Sequence, residues 1–213
     1  MTTTKTRRTA SGQILGLNEF GTASEKVLVR EPALSLMHLD LDGLHALNQS
    51  AGHAVGDKAI AAAIGVLSGT AERERWTLGR IGGDEFAVLA PGLALESAFL
   101  RADQLRREMD AAVAKVLPRG QRVTVSIGVA ASPRDAKDPI ALRRKADLAL
   151  HAAKEQGGDA VGLPPSADMV LKSSYYDAAQ LGRLKGLAER QKKKEAVLLR
   201  EALDDVLRKY DRA

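Results

Sequence analysis

The sequence predicts an α/β domain followed by a small, separate helical unit. Three observations carry this. Apolar strand-like runs alternate with helically spaced segments from about residue 20 to 156. A glycine-rich turn, Gly82-Gly83-Asp84-Glu85, lies between two apolar runs. Two prolines, Pro164 and Pro165, interrupt the chain before a fresh amphipathic pattern begins. The same alternation leaves the α+β form open.

Residues 1–12, rich in Thr, Arg and Ser, are expected to be a flexible basic arm. A helix is predicted near 20–29, a strand near 34–40, and helices near 44–51 and 56–70. Apolar flanks around the double glycine make residues 77–90 a β-hairpin. Leu95, Phe99, Ala102, Leu105, Met109 and Val113 keep helical spacing through a long helix, about 94–116. A strand over 122–131, a helix over 139–156 and a last short strand after Gly157 complete the first domain, residues 13–161. Residues 162–168 read as a linker.

Composition narrows the function classes. A chain of 213 residues with 45% hydrophobic residues is long enough for one or two domains with a real core. The absence of cysteine excludes a disulfide framework and thiolate metal sites, and fits a reducing compartment. No bilayer-length apolar run and no signal-peptide pattern is read, so a cytoplasmic protein without a membrane partner is expected. The net charge of +5 sits at the ends. Residues 31–167 hold 16 basic against 17 acidic side chains, residues 168–213 hold 11 against 8, and residues 1–30 hold 5 against 2. That distribution suggests a polyanionic partner for the ends.

The chemistry gathers in two acidic clusters. The run Leu34-Ser-Leu-Met-His-Leu-Asp40-Leu41-Asp42 is an apolar strand ending in alternate carboxylates, which fall on one face and could share a metal. Asp84 and Glu85 at the hairpin tip add hard oxygen ligands suited to Mg²⁺. Two acidic strand ends side by side would make a divalent-metal site for nucleotide phosphates. The four histidines, His38, His45, His53 and His151, share no ligand spacing.

The ordered pattern Asp40-x-Asp42, Asn48-x₃-Gly52-His53-x₂-Gly56-Asp57 and Gly82-Gly83-Asp84-Glu85-Phe86 closely resembles the GGDEF diguanylate cyclases. Val125-Ser-Ile-Gly-Val129 and Ala146-Asp147-x₂-Leu150-x₃-Lys154-x₂-Gly157 match that family too, so the resemblance spans roughly residues 12–161. It implies a palm-like domain with a central, mostly antiparallel sheet, and condensation of two GTP into cyclic di-GMP with release of pyrophosphate. It further implies Mg²⁺ (or Mn²⁺) held by Asp40, Asp84 and the Leu41 carbonyl. Asp40, Asp84 and Glu85 become the catalytic acids, Asn48 and Asp57 the guanine-reading pair, and Lys154 a phosphate contact. Gly82 and Gly83 would let the hairpin lie against the nucleotide.

Several positions depart from the family pattern. His45 and Gly158 stand where the family carries a lysine and an arginine, which implies weaker GTP binding. In Arg73-Glu-Arg-Trp76 the arginine of the inhibitory site remains without its acid, which implies lost or weakened product inhibition. A domain that only senses GTP or cyclic di-GMP stays open as the alternative.

Beyond the linker, Met169–Tyr176 is β-prone, and helices are predicted over 178–191 and 195–210, separated by the basic turn Lys192-Lys193-Lys194. Leu198, Leu199, Ala202, Leu203, Val206 and Leu207 are expected inward. Residues 169–213 resemble the ribbon-helix-helix DNA-binding domains, which implies a homodimer whose paired strands enter the major groove of double-stranded DNA. With Tyr176 packed inward, Ser173 and Tyr175 would face DNA. A one-residue slip would present Lys172 and Ser174 instead. Lys192, Lys193 and Lys194 suit phosphates at a helix start. A dimerising helical hairpin without DNA is the competing reading.

Overall fold

A computed structural model describes residues 13–165, 174, 176–191, 193 and 195–210. The proposed basic arm and most of the β-prone run, including Lys172, Ser173 and Tyr175, lie outside the described residues, as do Lys192 and Lys194. The chain divides into two compact units, residues 1–166 and 167–213.

In the first unit the elements run β1 (Ile14–Leu15), α1 (Leu17–Arg30), β2 (Leu34–Asp42), α2 (Leu44–Ala51), α3 (His53–Glu74), β3 (Thr77–Arg80), β4 (Glu85–Pro91), α4 (Leu95–Ala114), β5 (Thr124–Ser132), α5 (Pro139–Glu155) and β6 (Val161–Gly162). The six strands form one sheet in the order β1-β3-β4-β2-β5-β6. The four central strands pair antiparallel, while β1 and β6 add to the edges in parallel. The two-residue β1 was not expected from the sequence.

Strand β2 is buried on both faces, so it reads as an almost continuous apolar run. Alternation still sorts its side chains. Met37, Leu39 and Leu41 join one core with Ala63 and Leu67 of α3 and Ala102 and Leu105 of α4. Leu34 and Leu36 join a second core with Phe20 of α1 and Leu142 and Ala146 of α5. His38, Asp40 and Asp42 therefore fall on the face that α1 and α5 cover.

Helix α5 begins where Asp138 accepts a hydrogen bond from the Ala141 amide (2.9 Å), with Pro139 at the first turn. It lies hard against β5 at Gly128, where an added Cβ would stand 2.1 Å from the Ala146 carbonyl oxygen. Only glycine permits that approach. An 18-residue window of the 22-residue helix α3 reaches mean hydropathy 1.2, so by length and composition alone this helix could cross a membrane. Here it is a core helix, burying Ala59, Ala63, Leu67 and Ala71.

The second unit holds α6 (Ala178–Gln191) and α7 (Glu195–Tyr210), with the bounds the sequence predicts. Of its inward assignments only Leu198 is partly buried within one copy. Leu203 is 57% exposed, Leu199, Val206 and Leu207 are also exposed, and Tyr176 is 48% exposed. Two helices offer too little chain to enclose an apolar stripe on their own.

Candidate active site

The end of β2 is where the site is built. Asp40 pairs with Glu85 in the last rung of the β2–β4 ladder, so the two carboxyl side chains start from opposite positions on one face. Around them opens a cleft of 380 Å³, lined by Leu17, His38, Asp40, Ile81, Glu85, Arg143, Asp147, Leu150, His151 and Lys154. Helix α5 supplies the last of these at helical spacing, Arg143, Asp147, Leu150, His151 and Lys154.

Lys154 reaches Asp40, its Nζ 2.6 Å from Oδ1. Burial pushes the Asp40 carboxyl above the ordinary carboxylate value, and the charges of Asp84 and Asp42 add to that, while Lys154 opposes it. Asp84 is thus near enough to act on Asp40 electrostatically, but it stands at the tip rather than in the cleft lining.

The backbone of Leu41 follows from the ladder pattern. The Ile127 amide donates to Ala160 on the β6 side, so its neighbour Ser126 and the opposite residue Asp40 turn toward each other. Leu41 then turns its peptide groups toward the β4 side, past the final rung at Glu85.

Asp42 corrects the expectation of a shared metal on Asp40 and Asp42. Its carboxylate accepts from Thr124 Oγ1 (3.0 Å), Ser126 Oγ (2.8 Å) and the Asp159 amide (3.0 Å). It ties β5 and the start of β6 to β2 and has little capacity left for a cation.

Among the described residues no group of three His, Asp or Glu side chains is arranged to hold a metal ion. The donors present still fit a hard divalent ion. Asp40 and Asp84 are carboxylates, and an ammonium already sits on Asp40 where a cation would go. Nucleotide phosphates would complete such a shell.

The remaining predicted residues are placed as follows. Asn48 on α2 lies against Gly56 of α3, where a Cβ would stand 1.9 Å from Asn48 Oδ1. That Oδ1 is buried without a hydrogen-bond partner. Asp57 follows Gly56 on α3 and is exposed. Neither lines the cleft. Gly82 packs beneath the Glu85 side chain, and Gly83 has open space around it. Arg80 Nε donates to the Gly83 carbonyl (3.1 Å), which holds the hairpin tip. Arg73 donates to Thr70 Oγ1 (3.1 Å) on its own helix. Lys193 in the tail binds Glu201 (2.7 Å).

Sequence reasoning missed His38, Asp147 and Arg143. His38 is buried, with Nδ1 bonded to Asp147 and Nε2 at 3.9 Å from Glu85 Oε2. A polar residue inside an apolar run, facing the same side as Asp40 two positions on, was the available signal.

The profile of the diguanylate cyclase GGDEF domain matches residues 14–160. The chain belongs to the GGDEF diguanylate cyclase family. It is 33% identical over 130 residues to a probable diguanylate cyclase, DgcT, of Escherichia coli K12, covering 59% of this chain and 28% of that protein. It is 37% identical over 126 residues to the diguanylate cyclase TpbB of Pseudomonas aeruginosa, covering 58% and 28%. The chain therefore spans about a quarter of the length of these relatives. The GGDEF domain of DgcB from Caulobacter crescentus, solved with c-di-GMP, shares the fold at TM-score 0.62 and 23% identity, covering 76% of this chain and 97% of that one. The GGDEF domain here thus has the mixed-sheet palm fold of its family.

Proposed function

We propose that this chain condenses two molecules of GTP into cyclic di-GMP. Each ribose 3′-hydroxyl oxygen bonds to the α-phosphorus of the other nucleotide, the bond to the bridging oxygen breaks, and two pyrophosphates leave. The observation that carries this reading is the cleft at the β2 end, where Asp40, Glu85 and Lys154 meet beneath the glycine-rich tip.

Asp40, Asp84 and the Leu41 carbonyl would hold Mg²⁺ or Mn²⁺. When bound, that ion neutralises triphosphate charge and favours the attacking oxygen. Lys154 transfers its ammonium from Asp40 to the phosphates. Glu85, in the cleft and partly exposed, supports either the metal or the attacking hydroxyl. Asn48 and Asp57 read the guanine edge, with the unpartnered Asn48 Oδ1 offering an acceptor. Incubation with GTP and Mg²⁺ should give cyclic dinucleotide and pyrophosphate in a 1:2 ratio. Stable GTP binding without turnover would instead favour the nucleotide-sensing alternative.

Two such domains must face one another for the reaction. We infer that the tail supplies the encounter, as a homodimer that raises the effective concentration of the second site. Support comes from the apolar stripe of α6 and α7, where Leu181, Leu187, Leu203, Val206 and Leu207 are exposed in one copy. In sedimentation, Leu203→Glu with Val206→Glu should yield monomers whose turnover rises steeply with protein concentration. A ribbon-helix-helix tail would also tether the cyclase to double-stranded DNA in the cytoplasm, where GTP is plentiful. Steep weakening of duplex binding with salt, lost on neutralising Lys192, Lys193 and Lys194, is the expected result.

A further inference from the structure

His38 is the polar group that the proposed function leaves unused. Its side chain is nine-tenths buried and lines the cleft beside Asp40 and Glu85. Its Nδ1 is bonded to Asp147 of α5, so in the neutral ring Nδ1 carries the proton and Nε2 the lone pair. That Nε2 is buried and has no hydrogen-bond partner, 3.9 Å from Glu85 Oε2. A buried nitrogen acceptor without a partner calls for a ligand.

We propose that His38 Nε2 is a nitrogen ligand for a divalent cation shared with Glu85, which makes this a mixed nitrogen–oxygen site. The inference rests on the cyclase reading only in placing a cation at this cleft. Metal–nitrogen and metal–oxygen bonds of about 2.0–2.2 Å would let one ion span the gap between Nε2 and Oε2. Asp147 fixes ring orientation and tautomer from behind, as carboxylates do for metal-bound imidazoles. Two protein ligands leave several positions for phosphate oxygens and water.

The consequence is selectivity. Oxygen donors alone suit Mg²⁺, whereas an imidazole raises affinity for first-row transition ions. The site should therefore prefer Mn²⁺, and Co²⁺ more strongly still, over Mg²⁺.

The test uses the full chain labelled with ¹⁵N in histidine, with Mn²⁺ added alone and then with unlabelled GTP. Pulsed electron paramagnetic resonance should show ¹⁵N coupling to bound Mn²⁺. Competition should show at least tenfold preference for Mn²⁺ over Mg²⁺. His38→Gln should abolish the coupling and lower that preference by about tenfold. Asp147→Asn, which keeps the ring in place, should weaken Mn²⁺ about 10- to 100-fold. Bound Mn²⁺ without ¹⁵N coupling would overturn the proposal, as would an unchanged Mn²⁺-to-Mg²⁺ ratio in both variants. His38 would then be only an ion-pair partner of Glu85. Cyclic dinucleotide made by the wild type in Mg²⁺ reports separately on the cyclase reading, so the two can fail independently.

Discussion

The ammonium of Lys154 lies 2.6 Å from Asp40 Oδ1, so the acid that would hold a metal is already neutralised by the residue that would hold phosphate. The two roles are mutually exclusive at that oxygen. A triphosphate drawing Lys154 away releases Asp40 for the cation, so nucleotide and metal should bind with positive coupling. Lys154→Met should weaken GTP about 10- to 100-fold, the cost of one charged hydrogen bond. The same variant should raise the Asp40 carboxyl further, because Lys154 is what holds it down. Calorimetry and carboxyl NMR titration would check both.

Asp40→Asn should abolish turnover, by about a hundredfold or more, yet stabilise the fold. The sign follows from the raised carboxyl. The folded state binds the Asp40 proton more tightly than the unfolded state, whose value is near 3.8. Its destabilising charge is absent below that value and is fully expressed once pH passes the raised folded value. Urea melts of both proteins should therefore converge at low pH and separate toward neutrality.

Gly128→Ala should cost about 1–3 kcal/mol, measured as a lower urea midpoint. The new Cβ would meet backbone at Ala146 and Leu150, neither of which can rotate aside. Helix α5 would be pushed off β5, carrying Asp147 and Lys154 away from β2. Activity should fall more than the loss of stability alone explains.

Gly158→Arg restores the family residue but should not restore nucleotide affinity. Gly158 has φ of +72°, and a Cβ there would stand 3.0 Å from Asp42 Oδ2. Left-handed backbone at a non-glycine residue costs about 1–2 kcal/mol. The carboxylate beneath would also capture the guanidinium. Thermal melting should drop by several degrees with no gain in GTP binding.

Much of the first unit was legible because its elements obey simple periodicities. The bounds of α2, α6 and α7 follow from apolar spacing and from glycine or basic breaks at their ends. Strand β1 escaped because two residues carry no period. The Asp-x-Asp ending of β2 was legible as acid on one face. Its division of labour was not, since the partners that occupy Asp42 lie at 124, 126 and 159. His38 stayed hidden for the same reason: its bonding partner Asp147 is over a hundred positions distant. In the tail, amphipathic spacing located the helices but could not say whether the apolar stripe is covered within one copy.

With Asn48 reading the base as proposed, its contact with Gly56 would constrain how the domain could change that choice. The amide rests where any Cβ at 56 would sit, so α2 and α3 dock through the same vacancy that orients the amide. Swapping Asn48 for a differently shaped reader would disturb the seam between two helices. Altered nucleobase preference should therefore require paired substitutions at 48 and 56, and single changes at either position should yield unstable protein before they yield a new specificity.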